Sequence, residues 1–284
     1  MEGNGHPGIG GAGEAAAAGV AGGAGAPGGP GGSAGPGALL AIVPAHNEGG
    51  RIGAVVRAVI AHGLPVLVVD DGSLDGTGAE AQAAGAEVLR LEPNRGKGGA
   101  LKAGFRHALD DVGGAGESGA GGAGCPDRAP DGGWAAFLTL DGDGQHDPAE
   151  IPRLREAWER EGADLVVGMR DYNAMPHIRW FTNSVSRMLF SRALGQRIPD
   201  NQSGYRIHSR RLAEAALASD EQGFAFEVEE IAICAGRGYR LAWVPIKTIY
   251  GTEKSDIKPW THFSSFIRVT RRARKRMKRE RRRA

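Results

Sequence analysis

The sequence predicts an α/β fold whose mostly parallel sheet is covered by helices. Strand-sized apolar runs alternate with segments of helical period, the βαβ pattern of a parallel sheet buried on both faces. No apolar run approaches the roughly 20 residues that span a bilayer, and no internal repeat points to a solenoid or propeller.

Leu39-Leu40-Ala41-Ile42-Val43-Pro44 reads as the first strand. A helix from Gly50 to His62 follows, because Ile52, Val55, Val56, Val59 and Ile60 recur at helical spacing. Residues 65–71 form a second strand, Thr77 to Ala84 a helix, Glu87 to Leu91 a third strand and Gly98 to Leu109 a helix opened by glycines. Residues 111–133 turn rich in Gly, Ala and Pro, which suggests a surface insertion. The pattern resumes with a strand at 134–140, a helix from Glu150 to Glu161 and a short strand at 164–168. An amphipathic helix from Ile178 to Leu194 comes next, then a turn at 200–206 leading into a short apolar segment. Last are a helix from Glu227 to Ala235 and a strand from Tyr239 to Val244, ended by Pro245.

The ends of the 284-residue chain differ from this body. Residues 1–37 are almost entirely Gly, Ala and Pro and read as a disordered leader; they lack the marks of a signal or transit peptide. The folded domain is expected over 38–270, and residues 271–284 form a polybasic tail. From Arg271 to Arg283 there are ten basic side chains against one acid, whereas the preceding chain has 25 against 32. Such a tail suits an anionic membrane surface; a solvated helical extension is the alternative, and no nucleic-acid partner is expected. Cys125 and Cys234 make a poor disulfide framework, which fits a cytoplasmic protein.

The chemistry concentrates at Thr139-Leu140-Asp141-Gly142-Asp143-Gly144-Gln145-His146-Asp147-Pro148. Residues two apart on an extended chain point the same way, so Asp141 and Asp143 at a strand end can face one ligand. Oxygen donors without a Cys or His cluster suit magnesium or manganese better than zinc. The same residues also suit a solvated turn. Asp147-Pro148 reads as a capped helix start.

Further polar groups accompany this segment. Asp70-Asp71-Gly72-Ser73 ends the second strand, where open α/β sheets bind ligands, although the Gly-rich dinucleotide turn and the Walker lysine loop are missing. In Asn94-Arg95-Gly96-Lys97-Gly98-Gly99, Lys97 can neutralise a diphosphate at a helix start. Arg170 and Arg179 carry guanidinium forks that match phosphate oxygens. Asp200, Ser203 and Arg206 form a last polar constellation, with no Ser-His-Asp order; His46 and His146 have no zinc-like spacing.

Together these residues resemble the family 2 nucleotide-sugar glycosyltransferases, in particular the branch of dolichyl-phosphate mannose synthases and bacterial polyprenyl-phosphate glycosyltransferases. The resemblance is carried by Val43 to Glu48, Val69 to Thr77, Asn94 to Gly98, Asp141 to His146, Val167 to Arg170, Ser203 to Arg206 and Thr248 to Ser255. His46 departs from it, since a tyrosine is common there.

The resemblance implies a GT-A fold that binds a GDP- or UDP-sugar, with Pro44, Ala45, Glu48, Asp71, Lys97, Asp141, Gly142 and Asp143 around the donor. It places Mg2+ or Mn2+ on Asp143 and Gln145. Asp141, Asp143, Arg170, Arg179, Asp200 and Arg206 are the expected catalytic set. The implied reaction is inverting transfer of mannose or glucose to a polyprenyl or dolichyl phosphate, at the cytoplasmic membrane face. Transfer to a soluble or glycan hydroxyl is the alternative. A nucleotidyltransferase would carry a Gly-rich triphosphate loop after its first strand, which Pro44-Ala45-His46-Asn47-Glu48 is not. A nucleic-acid module would have no use for the acidic centre.

Overall fold

The structure, a computed structural model, describes residues 38–111, 133–170, 177–223, 225–247 and 259–280; at 177–183, 259–265, 276 and 278–280 it describes the backbone alone. The expected leader, most of the insertion, Cys125 and the Thr248 to Ser255 motif lie outside the described residues.

The strands are β1 (Leu39–Ala45), β2 (Val66–Asp70), β3 (Glu87–Arg90), β4 (Ala136–Thr139), β5 (Leu165–Arg170), β6 (Arg206–Ser209) and β7 (Leu241–Ile246). They form one seven-stranded sheet in the order β3-β2-β1-β4-β6-β5-β7. Strand β6 runs antiparallel to both its neighbours, and the other pairings are parallel.

Alternate residues of the central strands feed two cores, as the two-residue period of a strand requires. Leu39, Ala41 and Val43 join Val66, Val68, Ala136 and Leu138 on one face; Leu40 and Ile42 join Leu67, Val69 and Phe137 on the other. The first face is covered by α1 (Ile52–Ala61), α2 (Thr77–Ala83) and α4 (Ile151–Glu161). The second is covered by α3 (Lys97–Asp110), α5 (His177–Leu194), α6 (Arg210–Ala216), α7 (Ala225–Gly236) and α8 (Pro259–Glu280). Phe105 of α3 lies 5.6 Å from the Phe137 ring, centroid to centroid, and both are fully buried. Truncating either to alanine would cost roughly 3–5 kcal/mol. Cys234 is a buried free thiol, pushed up to about 12 by burial.

Most expected elements stand within a few residues of their sequence bounds. Asp147 caps a 3-10 turn at Pro148–Glu150 by accepting the Ala149 N–H, and α4 continues from it. The strand expected to end at Pro245 continues to Ile246 instead. β7 is an edge strand paired only with β5, and there the missing N–H of an exposed proline costs no ladder bond. Helix α6 has no counterpart in the sequence reading; Ser209 caps it by accepting the Leu212 N–H.

Helix α8 runs through the expected boundary at 270–271. Its Phe266, Val269 and Ala273 are buried in the second core, while Arg268, Arg271, Arg272, Arg274 and Lys275 are exposed. The stretch 271–280 of the basic segment is therefore part of a packed helix. Among the described residues, no helix is long and apolar enough to cross a membrane.

Candidate active site

Because β6 is antiparallel, its first residue lies beside the end of β4: Thr139 pairs with Arg206. The 200–205 turn is thereby brought to the edge where β1, β2, β4 and β5 end. The Gly168 N–H donates to the Tyr205 carbonyl and the Thr139 hydroxyl to the Gly204 carbonyl, tying three strand ends together.

The loops after β1 and β2 are laced to each other. Asn47 adopts a φ of 57°, a left-handed conformation that asparagine tolerates. Its N–H donates to Ser73 Oγ and its Oδ1 accepts the Leu74 N–H. His46 Nδ1 lies 2.9 Å from the Asp71 carbonyl and 3.1 Å from the Asn94 side-chain amide. Pro44 sits beyond the β1–β4 ladder, which stops at Ile42, so its missing N–H breaks no bond to that neighbour.

The two strand-end aspartates separate by what they hold. Asp70 is fully buried, accepts the Ser73 N–H and pairs with Arg90 at 3.1 Å; it closes the loop. Asp71 uses one oxygen to accept the Arg95 N–H at 2.7 Å, which fixes the turn that carries Lys97.

Lys97 lies between Asp141 at 2.5 Å and Glu227 at 2.9 Å. Burial alone would lower the lysine pKa, but the two carboxylates outweigh it and raise it, so Lys97 stays charged. Burial likewise pushes Asp141 up, yet Lys97, His146 and Arg170 bring it down to about 2. Gly204 completes this cluster. A Cβ there would lie 2.7 Å from Lys97 Nζ, 2.8 Å from Glu227 Oε1 and 3.0 Å from Asp141 Oδ1, so a side chain at this position would push the three groups from where they meet.

The metal candidates sit next to it. Asp143 Oδ1 accepts the Gln145 N–H, which folds the Asp-Gly-Asp-Gly-Gln turn. Gly142 packs under the β1 loop, where a Cβ would come within 3.1 Å of Ile52 and 3.5 Å of Glu48. Burial raises the Glu48 carboxyl; its ion-pair partner Arg51 opposes this, and Asp143 and Asp141 add to the rise. Three carboxylates thus share one negative field, the setting in which a cation is welcome. Among the described residues, no group of three or more His, Cys, Asp or Glu is arranged to hold a metal by itself.

His146 is a structural member. Its Nδ1 accepts the Asp141 N–H, its ring stacks on Tyr205 at 5.1 Å, and burial lowers its pKa. Burial also raises the Tyr205 phenol, which donates to the Asp147 carbonyl.

The arginines divide similarly. Arg170 makes a two-pronged pair with Asp200, at 2.8 and 3.0 Å, and is near enough to Asp141 to lower its pKa. Arg206 is buried behind the cleft, where it donates to the Ser203 and Glu227 carbonyls and pairs with Glu230 at 3.1 Å. Its reach is to the backbone that carries Gly204 and Glu227. Arg179 is in the first turn of α5, and its side chain lies outside the described residues.

Two members escaped the sequence reading of the site. Gly204 was present only as part of a motif, and Glu227 only as a helix residue. The signal for Glu227 is a cluster of acids, with Glu229 and Glu230, inside an otherwise apolar helix. Buried carboxylates of that kind need partners.

A mostly parallel sheet with carboxylates and a lysine gathered at one edge of strand ends places this chain among the α/β folds that bind ligands at such an edge. The model described as "Glycosyl transferase family 2" matches residues 40–115 and 127–217, and the chain belongs to that family. A polyprenol monophosphomannose synthase of Mycolicibacterium smegmatis is 32% identical over 231 residues, covering 73% of this chain and 76% of that protein. An undecaprenyl-phosphate mannosyltransferase of Micrococcus luteus is 31% identical over 223 residues, covering 73% and 82%. Among solved structures, glucosyl-3-phosphoglycerate synthase from Mycobacterium tuberculosis, in complex with Mn2+, uridine diphosphate and glucosyl-3-phosphoglycerate, superposes with a TM-score of 0.59. It is 18% identical, covering 84% of this chain and 79% of that one. The GT-A-type architecture expected from the sequence is thereby shown, and the chain is a member of a glycosyltransferase family.

Proposed function

We propose that this protein transfers a hexosyl group, mannose or glucose, from a GDP- or UDP-sugar with inversion at the anomeric carbon. The observation that carries this reading is the Lys97–Asp141–Glu227 cluster around Gly204, placed beside Asp143 where the strand ends meet.

Asp71, Pro44, Ala45 and Glu48 border the place for the base and ribose. Asp143 and Gln145 would hold Mg2+ or Mn2+, an ion that supplies Lewis-acid stabilisation to a departing nucleoside diphosphate. Lys97, kept charged by its carboxylates, is positioned to share its ammonium with the diphosphate. In the transfer, an acceptor oxygen forms a bond to the anomeric carbon as the bond to the diphosphate oxygen breaks. The chain's residues orient the two partners and stabilise charge without a covalent intermediate.

Two acceptors have separate support. For a hydroxyl, a carboxylate must take the proton; Asp200 is the candidate, although it is fully buried and held in a two-pronged pair by Arg170, so it would have to be released to act. A polyprenyl phosphate is already anionic and needs no base; it is supported by the names of the mannosyltransferase relatives and by the exposed basic face of α8, which suits an anionic membrane. Under the second reading the protein would sit peripherally at the cytoplasmic membrane face.

A screen of radiolabelled UDP- and GDP-sugars against polyprenyl phosphate and against soluble hydroxyl acceptors tests both. Label partitioning into organic solvent supports the lipid phosphate, and label in a water-soluble glycoside supports the hydroxyl. Transfer from none of the donors in the presence of Mg2+ and Mn2+ would sink the proposal.

A further inference from the structure

Away from the strand-end cleft, the outer face of α3 borders a groove of ≈ 450 Å³ lined by Arg95, Gly99, Lys102, Arg106, Ser219 and Gln222, among others. Residues 99, 102 and 106 fall on one face of α3 by their spacing, and Arg95 comes from the turn before it. Gly99 opens the floor: a Cβ there would lie 2.6 Å from Arg95 Cβ and 2.8 Å from Gln222 Oε1.

Around this groove Asp220, Glu229 and Glu221 act on Lys102 and offset part of the positive charge, and Arg106 adds to it. Lys102 is 7% exposed and donates to the Ser219 carbonyl at 2.8 Å. These acids have partners of their own as well: Glu221 pairs with Arg272 and Arg268, Asp220 lies 4.0 Å from Arg272, and Glu229 accepts the hydroxyl of Ser219, itself a lining residue. Arg95 and Arg106 are both exposed, and among the described residues neither guanidinium has an ion-pair partner. Two open guanidinium forks and a nearly buried ammonium facing one cavity make an arrangement that fits a tetrahedral oxyanion, because forks bind its oxygens in pairs.

We propose that this groove is a phosphate-binding site, separate from the strand-end cleft, whose occupant is a free phosphate or the phosphate of an anionic lipid headgroup. The groove shares a turn with the cleft, since the Gly99 N–H donates to the Gln222 carbonyl and the Arg95 N–H to Asp71. Its floor and cations are nevertheless its own, and its binding does not rest on the glycosyl-transfer reading.

The test titrates the full chain with inorganic phosphate by calorimetry, at an ionic strength held constant with chloride. In parallel, flotation is measured with phosphatidylglycerol and with phosphatidylcholine vesicles. Arg106→Gln, at an exposed position that leaves the fold alone, and the Arg95→Gln/Arg106→Gln double variant should each weaken phosphate or phosphatidylglycerol binding, the double variant at least about tenfold. Gly99→Ala, which fills the floor without changing charge, should weaken it too, whereas Lys97→Gln should leave it in place. A response to inorganic phosphate identifies a soluble anion as the occupant, and a response to phosphatidylglycerol vesicles alone identifies the headgroup. Binding of both probes unchanged by the arginine substitutions, or binding removed by Lys97→Gln instead, would overturn the proposal.

Discussion

Glu227 and Glu230 stand three residues apart on α7, and each holds a cation against the sheet. Lys97, between Glu227 and Asp141, keeps 14% of its side chain exposed, and Asp141 keeps 28%. Arg206, Glu230 and His208 are exposed by 1% or less. Only the first cluster can exchange a partner with an incoming ligand. In the second, His208 Nε2 and Glu230 Oε1 lie 3.2 Å apart without hydrogen-bond geometry, and Arg206 Nη2 has no hydrogen-bond partner among the described residues. The comparison teaches that a lysine or arginine among carboxylates marks chemistry only where water or substrate can reach it. Where neither can, the same ions tie α7 to the strand-end loops.

The largest effect should separate the cleft from the sealed cluster. Asp143→Ala is expected to reduce sugar transfer by about a thousandfold, the scale of losing a preorganised electrostatic contact. Its melting temperature should stay close to that of the parent, because among the described residues the side chain's hydrogen bond is the turn contact to Gln145. Near-normal turnover across a Mg2+ and Mn2+ titration would remove Asp143 from the metal role. Arg206→Met should do the opposite. It leaves Glu230 buried without its cation and should cost roughly 3–5 kcal/mol of stability, read by urea unfolding. Activity per folded molecule should fall far less than in Asp143→Ala; an equal fall would return Arg206 to direct contact with substrate.

Gly204→Ala comes next. The added methyl would press on Lys97, Glu227 and Asp141 together. A drop of about 10- to 100-fold in kcat/KM is expected, in line with misplacement of a charged group by about an ångström. A fully active alanine variant would show that the three groups need not meet.

How much of this was legible beforehand depended on the partner's distance in sequence. The strands β1 to β4 and their helices announced themselves through apolar runs and helical periods, and the Asp141 to Gln145 turn through its composition. β6 did not, because Arg206 and His208 are polar residues buried at a strand's interior positions, where a pattern reading expects apolar ones. Without β6, nothing in the sequence explains why the 200–205 turn meets the end of β4. Glu227 was hidden for a related reason: its lysine is far away along the chain, and the acid alone looks like one more helix residue. The fused helix α8 was obscured by charge, since Val269 and Ala273 are its inward positions among many arginines.

The cleft should also respond to pH in two separate windows. His146, beside the cleft, has a folded pKa lowered by burial. An unfolded histidine titrates near ~6.5, so below that pH the unfolded chain binds more protons and the fold loses stability. Melting temperature should therefore decline from pH 7.5 to pH 5, and His146→Gln should flatten that slope while lowering stability overall. Asp141 acts in a separate window. Its folded pKa of about 2 lies below the ordinary 3.8, so its contribution is full above that value and is lost as pH falls towards 2. An unchanged slope in His146→Gln would mean that another group titrates.

The smallest effect concerns the outer face of the helix that packs on α7. Deleting residues 271–284 would remove more than charge, since Ala273 is 2% exposed and Met277 packs on the core. A loss of vesicle binding in that deletion would not separate the basic face from the fold. Arg274→Gln avoids this, because the side chain is exposed. Stability should change by no more than about 0.5 kcal/mol, as for ordinary surface substitutions. Sedimentation with anionic liposomes should weaken by about fivefold, corresponding to roughly 1 kcal/mol for one basic residue at a charged surface. The effect should fade at high salt, because exposed charges are screened. If liposome binding is the same with and without the substitution at low salt, Arg274 faces solvent when the protein works, and the membrane role of α8 loses its electrostatic basis.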